Sequence, residues 1–243
     1  IGFPVLIEVK TYLLHRKETF RFSLFTKITT ATYGILFVVG AIGIYILELF
    51  SSFKNMKWHE AMFSALFHSA STRSGGLTTY DVQTFSEATD VFMSFLMFIG
   101  ASPSSVGGGI RTTTFAIAIL FLISYARGHT EVHVFKRNIK EIDVFRSYVV
   151  IILAFFMVFL STLTLLITEK HATVTQILFE ISSAFGTCGM SLGITSDLTT
   201  VGKVIIMILM FIGRVGLISF LYSLGGRQKK MAYQYPTERV IIG

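Results

Sequence analysis

Leu96-Met97-Phe98-Ile99-Gly100 recurs letter for letter as Leu209-Met210-Phe211-Ile212-Gly213, and the shift of 113 residues that superimposes them also lays Gly76-Leu77 on Gly189-Met190. The chain is therefore a tandem repeat. Each copy has a long apolar segment, a shorter apolar segment ending in a small, polar, Gly-containing turn, and a second long apolar segment. Two copies in the same orientation, built around matching turns, suggest a pathway shared between repeats rather than an ordinary globular core.

Composition places those repeats in lipid. Of 243 residues, 52% are hydrophobic and 14% charged, with 24 Phe, so most of the chain is unsuited to water. The segments 28–47 and 147–168 carry no charge and, at about 1.5 Å per residue, are long enough to cross a hydrocarbon layer of roughly 30 Å. The stretch 91–126 holds 36 residues with only Arg111 charged, a straight helix of about 54 Å that must tilt, bend or break. The stretch 204–224 has spanning length, with Arg214 near its centre.

Charge sets the expected orientation. Fourteen of the 21 Lys and Arg residues fall in 1–27, 127–146 and the tail after Leu224, which assigns those segments to the cytosolic side. The opposite side carries Glu48, Asp81, Glu87, Asp90, Glu169 and Asp197. The basic balance thus reads as membrane topology rather than nucleic-acid binding. The opening Ile1-Gly2-Phe3-Pro4 reads like the middle of a longer protein, and the roughly helical spacing of Val5, Leu6, Val9 and Leu13 suits a short helix at the inner membrane surface.

The chemistry is expected in the two short segments. Residues 58–70 and 175–185 are each too short to cross and are followed by Thr72-Arg73-Ser74-Gly75-Gly76-Leu77 and Gly186-Thr187-Cys188-Gly189-Met190-Ser191, the pattern of re-entrant helices. Non-helical backbone at membrane depth persists only where it is buried in protein or lines a watery cavity. There, a ring of carbonyls can replace the hydration shell of an alkali cation, while Gly permits the dihedrals that aim them inward. A plain helix-terminating role for Gly76 and Gly189 is the simpler use of the residue, but two such turns in register within a repeat favour the ion site.

The long segment contains its own interruption. Gly100-Ala101-Ser102-Pro103-Ser104-Ser105-Val106-Gly107-Gly108-Gly109 concentrates helix breakers where a hydrogen-bonded helix would otherwise continue. The run 107–112 lacks the terminal Lys of a phosphate-binding loop. Arg214 aligns with Ala101 and is an added charge directly after the shared Gly. A central intramembrane Arg normally faces the protein interior. Arg73 and Glu180 are likewise intramembrane ions, expected to hold the geometry of the turns. His129 and His133 stand four apart without the further ligands of a metal site. Gly189-Met190-Ser191-Leu192-Gly193 fits G-x-S-x-G, which raises a serine hydrolase with His171 or His68 as base, but the strand-to-helix context is missing. An ion-coupled secondary transporter with broken helices, Na⁺-dependent among the options, is the stronger alternative, although a coupling carboxylate at mid-membrane is missing from the long helices.

With helix, turn and helix in this order, the runs 71–77 and 183–191 resemble the Trk/Ktr/HKT superfamily of cation transporters, and within it the membrane subunit of bacterial Ktr potassium uptake systems. Members have four such repeats around one pore, and this chain looks like the third and fourth. The resemblance implies selectivity glycines at Gly76 and Gly189, with neighbouring carbonyls from Ser74, Gly75, Thr187 and Cys188. It implies K⁺ as the permeant ion, because Ser in place of such a Gly favours sodium. It also implies that Ala101, Ser102, Pro103, Ser104, Ser105, Val106, Gly107, Gly108 and Gly109 form a gate below the filter, with Arg214 beside it bonding to loop carbonyls when closed. Homodimers and a cytosolic, nucleotide-binding regulatory ring of RCK type follow from the same likeness.

The reading is an all-α, multi-pass membrane protein of tandem helix–pore loop–helix repeats in the plasma membrane, conducting potassium and not an enzyme, with no organic cofactor. Its expected segments are a cytosolic interfacial linker helix over 1–27, a first pore repeat over 28–126, a cytosolic basic loop over 127–146, a second pore repeat over 147–224 and a cytosolic tail over 225–243.

Overall fold

The computed structural model describes residues 2–14, 22–129, 131–135, 137–217 and 219. The expected tail over 225–243 and the end of the last apolar segment lie outside them. The architecture is helical: α1 (Phe3–Leu14), α2 (Leu24–Glu48), α3 (Trp58–Ser71), α4 (Glu87–Ile99), α5 (Thr112–Ala126), α6 (Glu141–Thr168), α7 (Val174–Gly186) and α8 (Thr200–Val215). A 3₁₀ turn over Val82–Thr84 precedes α4, and a small antiparallel pair, β1 (His133–Val134) and β2 (Arg137–Asn138), joins α5 to α6.

Local signals start these helices. Ser23, Ser86, Thr173 and Thr199 each accept a hydrogen bond at an N-cap from a backbone N–H of the first turn, and Thr173 with Gln176 closes a reciprocal capping box. Among the described helices, α2 and α6 are long and apolar enough to cross a membrane, at 25 and 28 residues. Their outward faces, which include Ile35, Val39, Ile42, Phe155, Phe156 and Phe159, are exposed as lipid-facing side chains would be.

Several boundaries differ from the sequence expectation. The 36-residue apolar run divides into α4 and α5, with 100–111 non-helical between them: Gly100, Ser104, Gly109 and Arg111 all have positive φ. The basic loop is shorter than 127–146, because α6 begins at Glu141. Glu141 and Asp143 in its first turn complement the positive end of the helix, and Arg146 sits 3.7 Å from Asp143 on the helix itself. Helix α8 runs from Thr200 to Val215 and breaks at Gly216, where φ is +89°, so 204–224 is not one uninterrupted helix, and Arg214 lies in the last turn of α8.

Helix α7 lies at the centre. Helix α7 packs against α4, α6 and α8, and α3 packs against α2, while α5 lies beside α6 and joins the repeats. Small residues allow close approach. A Cβ at Gly186 would overlap the Met97 carbonyl of α4, and one at Gly213 would overlap the Phe185 carbonyl of α7. Ile177, Phe179, Ile181 and Phe185 of α7 are fully buried.

Each repeat also carries a buried carboxylate clamp. Glu48 at the end of α2 accepts from Ser86 N (2.8 Å) and Ser86 Oγ (2.9 Å), at the N-cap of α4. Glu169 after α6 accepts from Thr199 N (3.1 Å) and Thr199 Oγ1 (2.5 Å), at the N-cap of α8. Ser86 and Thr199 are separated by the same 113 residues as the repeated pentapeptide. Two ends of one repeat are thereby tied together. Hydrogen bonds to a charged acceptor contribute about 1.5–3 kcal/mol each. Glu48→Ala or Glu169→Ala in the complete protein is therefore expected to lower the melting temperature in detergent clearly more than Ala at the exposed Glu60 does. Equal losses at all three positions would show that the clamps do not brace the repeats.

Candidate ion-pathway site

The two turns that follow α3 and α7 meet face to face. Helix α3 ends at Ser71, whose carbonyl receives the amides of Gly75 (2.8 Å), Ser74 (3.3 Å) and Gly76 (3.3 Å), while its hydroxyl donates to Leu77 O at 2.5 Å. Helix α7 ends at Gly186, and Thr187 turns into the left-handed region at φ +51°. The Cys188 amide returns to Ser183 O (2.9 Å), and the Gly189 amide to Ser183 Oγ (3.1 Å). Amides are thus consumed within each turn. Among the described residues, the carbonyls of Ser74, Gly75, Gly76, Thr187, Cys188 and Gly189 accept no hydrogen bond.

Contact between the turns is direct. The Cys188 thiol donates to Ser71 O at 3.2 Å, and the Cys188 carbonyl lies so close to Gly76 that a Cβ there would overlap it. Gly76 (φ +66°) therefore needs hydrogen for both dihedral and space, whereas Gly189 (φ +96°) has open space around it and needs hydrogen for its dihedral alone.

Arg73 anchors the first turn from behind. It is buried, and its guanidinium donates to Leu96 O (3.0 Å) in the repeated stretch and towards Leu36 O (3.5 Å) on α2. Glu180 on α7 accepts from the Thr195 hydroxyl beyond the second turn. Ser191, the serine of the G-x-S-x-G pattern, bonds to Thr195 Oγ1 (2.7 Å), while His68 is buried against Ser64 O (2.8 Å) and Tyr80 O (3.4 Å). The serine and this histidine are not brought together.

The interruption between α4 and α5 lies against both turns. Ala101 N bonds to Gly108 O (3.2 Å), and Thr112 N to Ala101 O (3.1 Å), folding 101–112 into a closed loop. Gly107 abuts the first turn: a Cβ there would meet Ser74 Cβ at 2.8 Å and Ser74 Oγ at 2.9 Å. Gly108 abuts the second, with Thr187 Cγ2 at 2.8 Å and Gly213 O at 2.9 Å from the same hypothetical atom. The amides of Gly108 and Gly109 bond to Gly186 O (3.2 Å) and Phe185 O (3.1 Å), satisfying carbonyls at the end of α7. Pro103, Ser104, Ser105 and Val106 form the more exposed tip, where Ser104 O accepts from Phe3 N of α1 at 3.3 Å; Ser102 is buried below it.

The arginines are placed differently from the expectation. Arg214 is exposed and makes no hydrogen bond to the loop among the described residues. The loop carbonyl that is held, Gly107 O, accepts from Arg111 Nη1 instead. Arg111 at the start of α5 was visible in the sequence as the lone charge in an apolar run, but its partner depends on how the loop closes. Arg214 is near enough for the two positive charges to interact.

Residues 1–224 match the TrkH family, described as cation transport protein. The chain belongs to this family. It is 55% identical to Ktr system potassium uptake protein D of Bacillus subtilis (strain 168) over 243 residues, which are all of this chain and 54% of that protein. Ktr system potassium uptake protein B of the same organism is 35% identical over 245 residues, again covering all of this chain and 54% of the relative. The crystal structure of the potassium transporter TrkH from Vibrio parahaemolyticus shares the fold, with a TM-score of 0.71 over 90% of this chain and 50% of that one, at 17% identity. The chain spans about half the length of the curated relatives it matches. The resemblance read from the two turns thus holds for the TrkH family as a whole.

Alanine separates the demands at the two glycines. Both positions have positive φ, which costs a non-Gly residue about 1–3 kcal/mol, but only Gly76 also faces a backbone oxygen. Gly76→Ala is expected to lower the thermal stability of the purified complete protein more than Gly189→Ala. The reverse order, measured by tryptophan or dye fluorescence on heating, would show that the turns do not meet as described.

Proposed function

We propose that this chain is half of a potassium uptake subunit of the TrkH family, in which the two turns contribute carbonyls to a selectivity filter and residues 101–109 form an intramembrane gate. One observation carries the reading: among the described residues, six carbonyls of two touching turns at the ends of α3 and α7 accept no hydrogen bond. An unpaired carbonyl in a lipid-buried protein costs several kcal/mol unless something replaces the donor, and a partly dehydrated cation does so. The names of the relatives, potassium uptake proteins, favour K⁺ as that ion.

The gate follows from placement. The loop presses Gly107 and Gly108 against Ser74 and Thr187, where it obstructs a pathway leading away from the filter. Arg111 holds the loop through Gly107 O, and Arg214 adds fixed positive charge beside it, so that a cation approaching from this side meets a barrier. The complete protein is read as a multi-pass component of the cell membrane, homodimeric, with two further repeats closing the pore. Its basic segments face a cytosolic regulatory ring.

Serine at the filter positions tests the proposal. Gly76→Ser or Gly189→Ser in the complete protein is expected to raise sodium uptake relative to potassium several-fold, because a side chain at positive φ forces the turn to re-aim its carbonyls. Cation preference unchanged in both variants, at equal membrane abundance, would remove these turns from the filter.

A further inference from the structure

Thr187 belongs to two structures at once. Its backbone is part of the second turn, and its side chain leaves that turn to meet the intramembrane loop, where Thr187 Oγ1 accepts from Gly108 N at 2.7 Å. The same amide points towards Gly186 O at 3.2 Å, so the hydroxyl is the nearer of two acceptors for one donor. Thr187 Cγ2 packs on the Gly108 Cα, in a space too tight for a β-carbon there.

The surrounding geometry gives this bond leverage. Gly108 sits in a seam formed by Phe185 O, Gly213 O and Thr187, and its neighbour Gly107 touches Ser74 of the other turn. Movement of the loop away from the filter must break the bonds of the Gly108 amide, to Thr187 Oγ1 and Gly186 O, and that of the Gly109 amide to Phe185 O. Arg111 reaches the loop from within the same strap, four residues away, and travels with it. Thr187 is bound to the opposite wall.

We infer that the Thr187 hydroxyl is a latch, a positioning residue that holds the intramembrane loop against the filter and thereby favours the closed state. The inference rests on the proposed role of the loop as a gate, and its test separates the two. At a strained, left-handed position (φ +51°), Thr187→Val keeps shape and β-branching while removing the acceptor, and Thr187→Ser keeps the acceptor.

Hydrogen–deuterium exchange on the complete protein in detergent reads the latch without reference to transport. The amides of 101–109 are expected to exchange roughly two- to tenfold faster in Thr187→Val, the effect of losing one hydrogen bond, and at the parent rate in Thr187→Ser. Parent-like exchange in Thr187→Val, or equal acceleration in both variants, overturns the latch. Potassium uptake measured in parallel is expected to rise by a similar factor in Thr187→Val, with weaker dependence on the cytosolic regulator. Faster exchange with unchanged uptake would uphold the tether and contradict the role of the loop as a gate.

Discussion

Backbone carbonyls at membrane depth must find a partner, and this requirement organises the molecule. Inside a helix each carbonyl is satisfied by the amide four residues on, but the turns after α3 and α7 have left the helix. Their amides fold back onto Ser71 and Ser183, which leaves the outward carbonyls bare. On the proposed reading, the surrounding chain holds such a turn in place and a cation stands in for the missing donors. The small residues, the positive-φ glycines and the buried Arg73 behind the first turn all serve that end.

Packing around the turns solves the problem twice, with related parts. The stretch Leu96–Gly100 brings a carbonyl to Arg73 and ends α4 beside the first turn, and its twin Leu209–Gly213 brings Gly213 against Phe185 O and the loop. At the other end of each repeat, Glu48 and Glu169 seize the N-caps of α4 and α8. The copies diverge where function requires it. One inner helix is interrupted by a loop of twelve residues between Ile99 and Thr112, whereas α8 breaks at the single residue Gly216, with Leu217 helical beyond it. The asymmetric loop then occupies the seam between two otherwise similar turns.

Much of this was legible in the sequence because the signals are local or repeated. The pentapeptide points to the repeat, the short apolar runs match the short helices α3 and α7, and Pro103 with Gly107–Gly109 demands a break. The start of α6 lies six residues before the expected boundary because Arg146 falls among the basic-loop cations, although Glu141 and Asp143, acidic residues at a helix start, are a recognisable signal. The clamps were also within reach: Ser86 and Thr199 share the repeat shift, and each needs an acceptor. Other features depend on tertiary approach, which no window of sequence contains. Arg111 takes Gly107 O only once the loop has closed, so the sequence favoured Arg214 by alignment with its family. The Thr187 hydroxyl finds Gly108 across 79 residues.

The central claim is that the bare carbonyls of the two turns hold a desolvated monovalent cation. Rubidium, a heavy substitute for potassium, makes that visible by anomalous diffraction from crystals of the complete protein. The account predicts an anomalous peak in direct contact with the carbonyl oxygens around Gly76 and Gly189, which weakens when potassium is added in excess. Well-ordered turns with no peak between them, and rubidium bound elsewhere along the pathway, would contradict it.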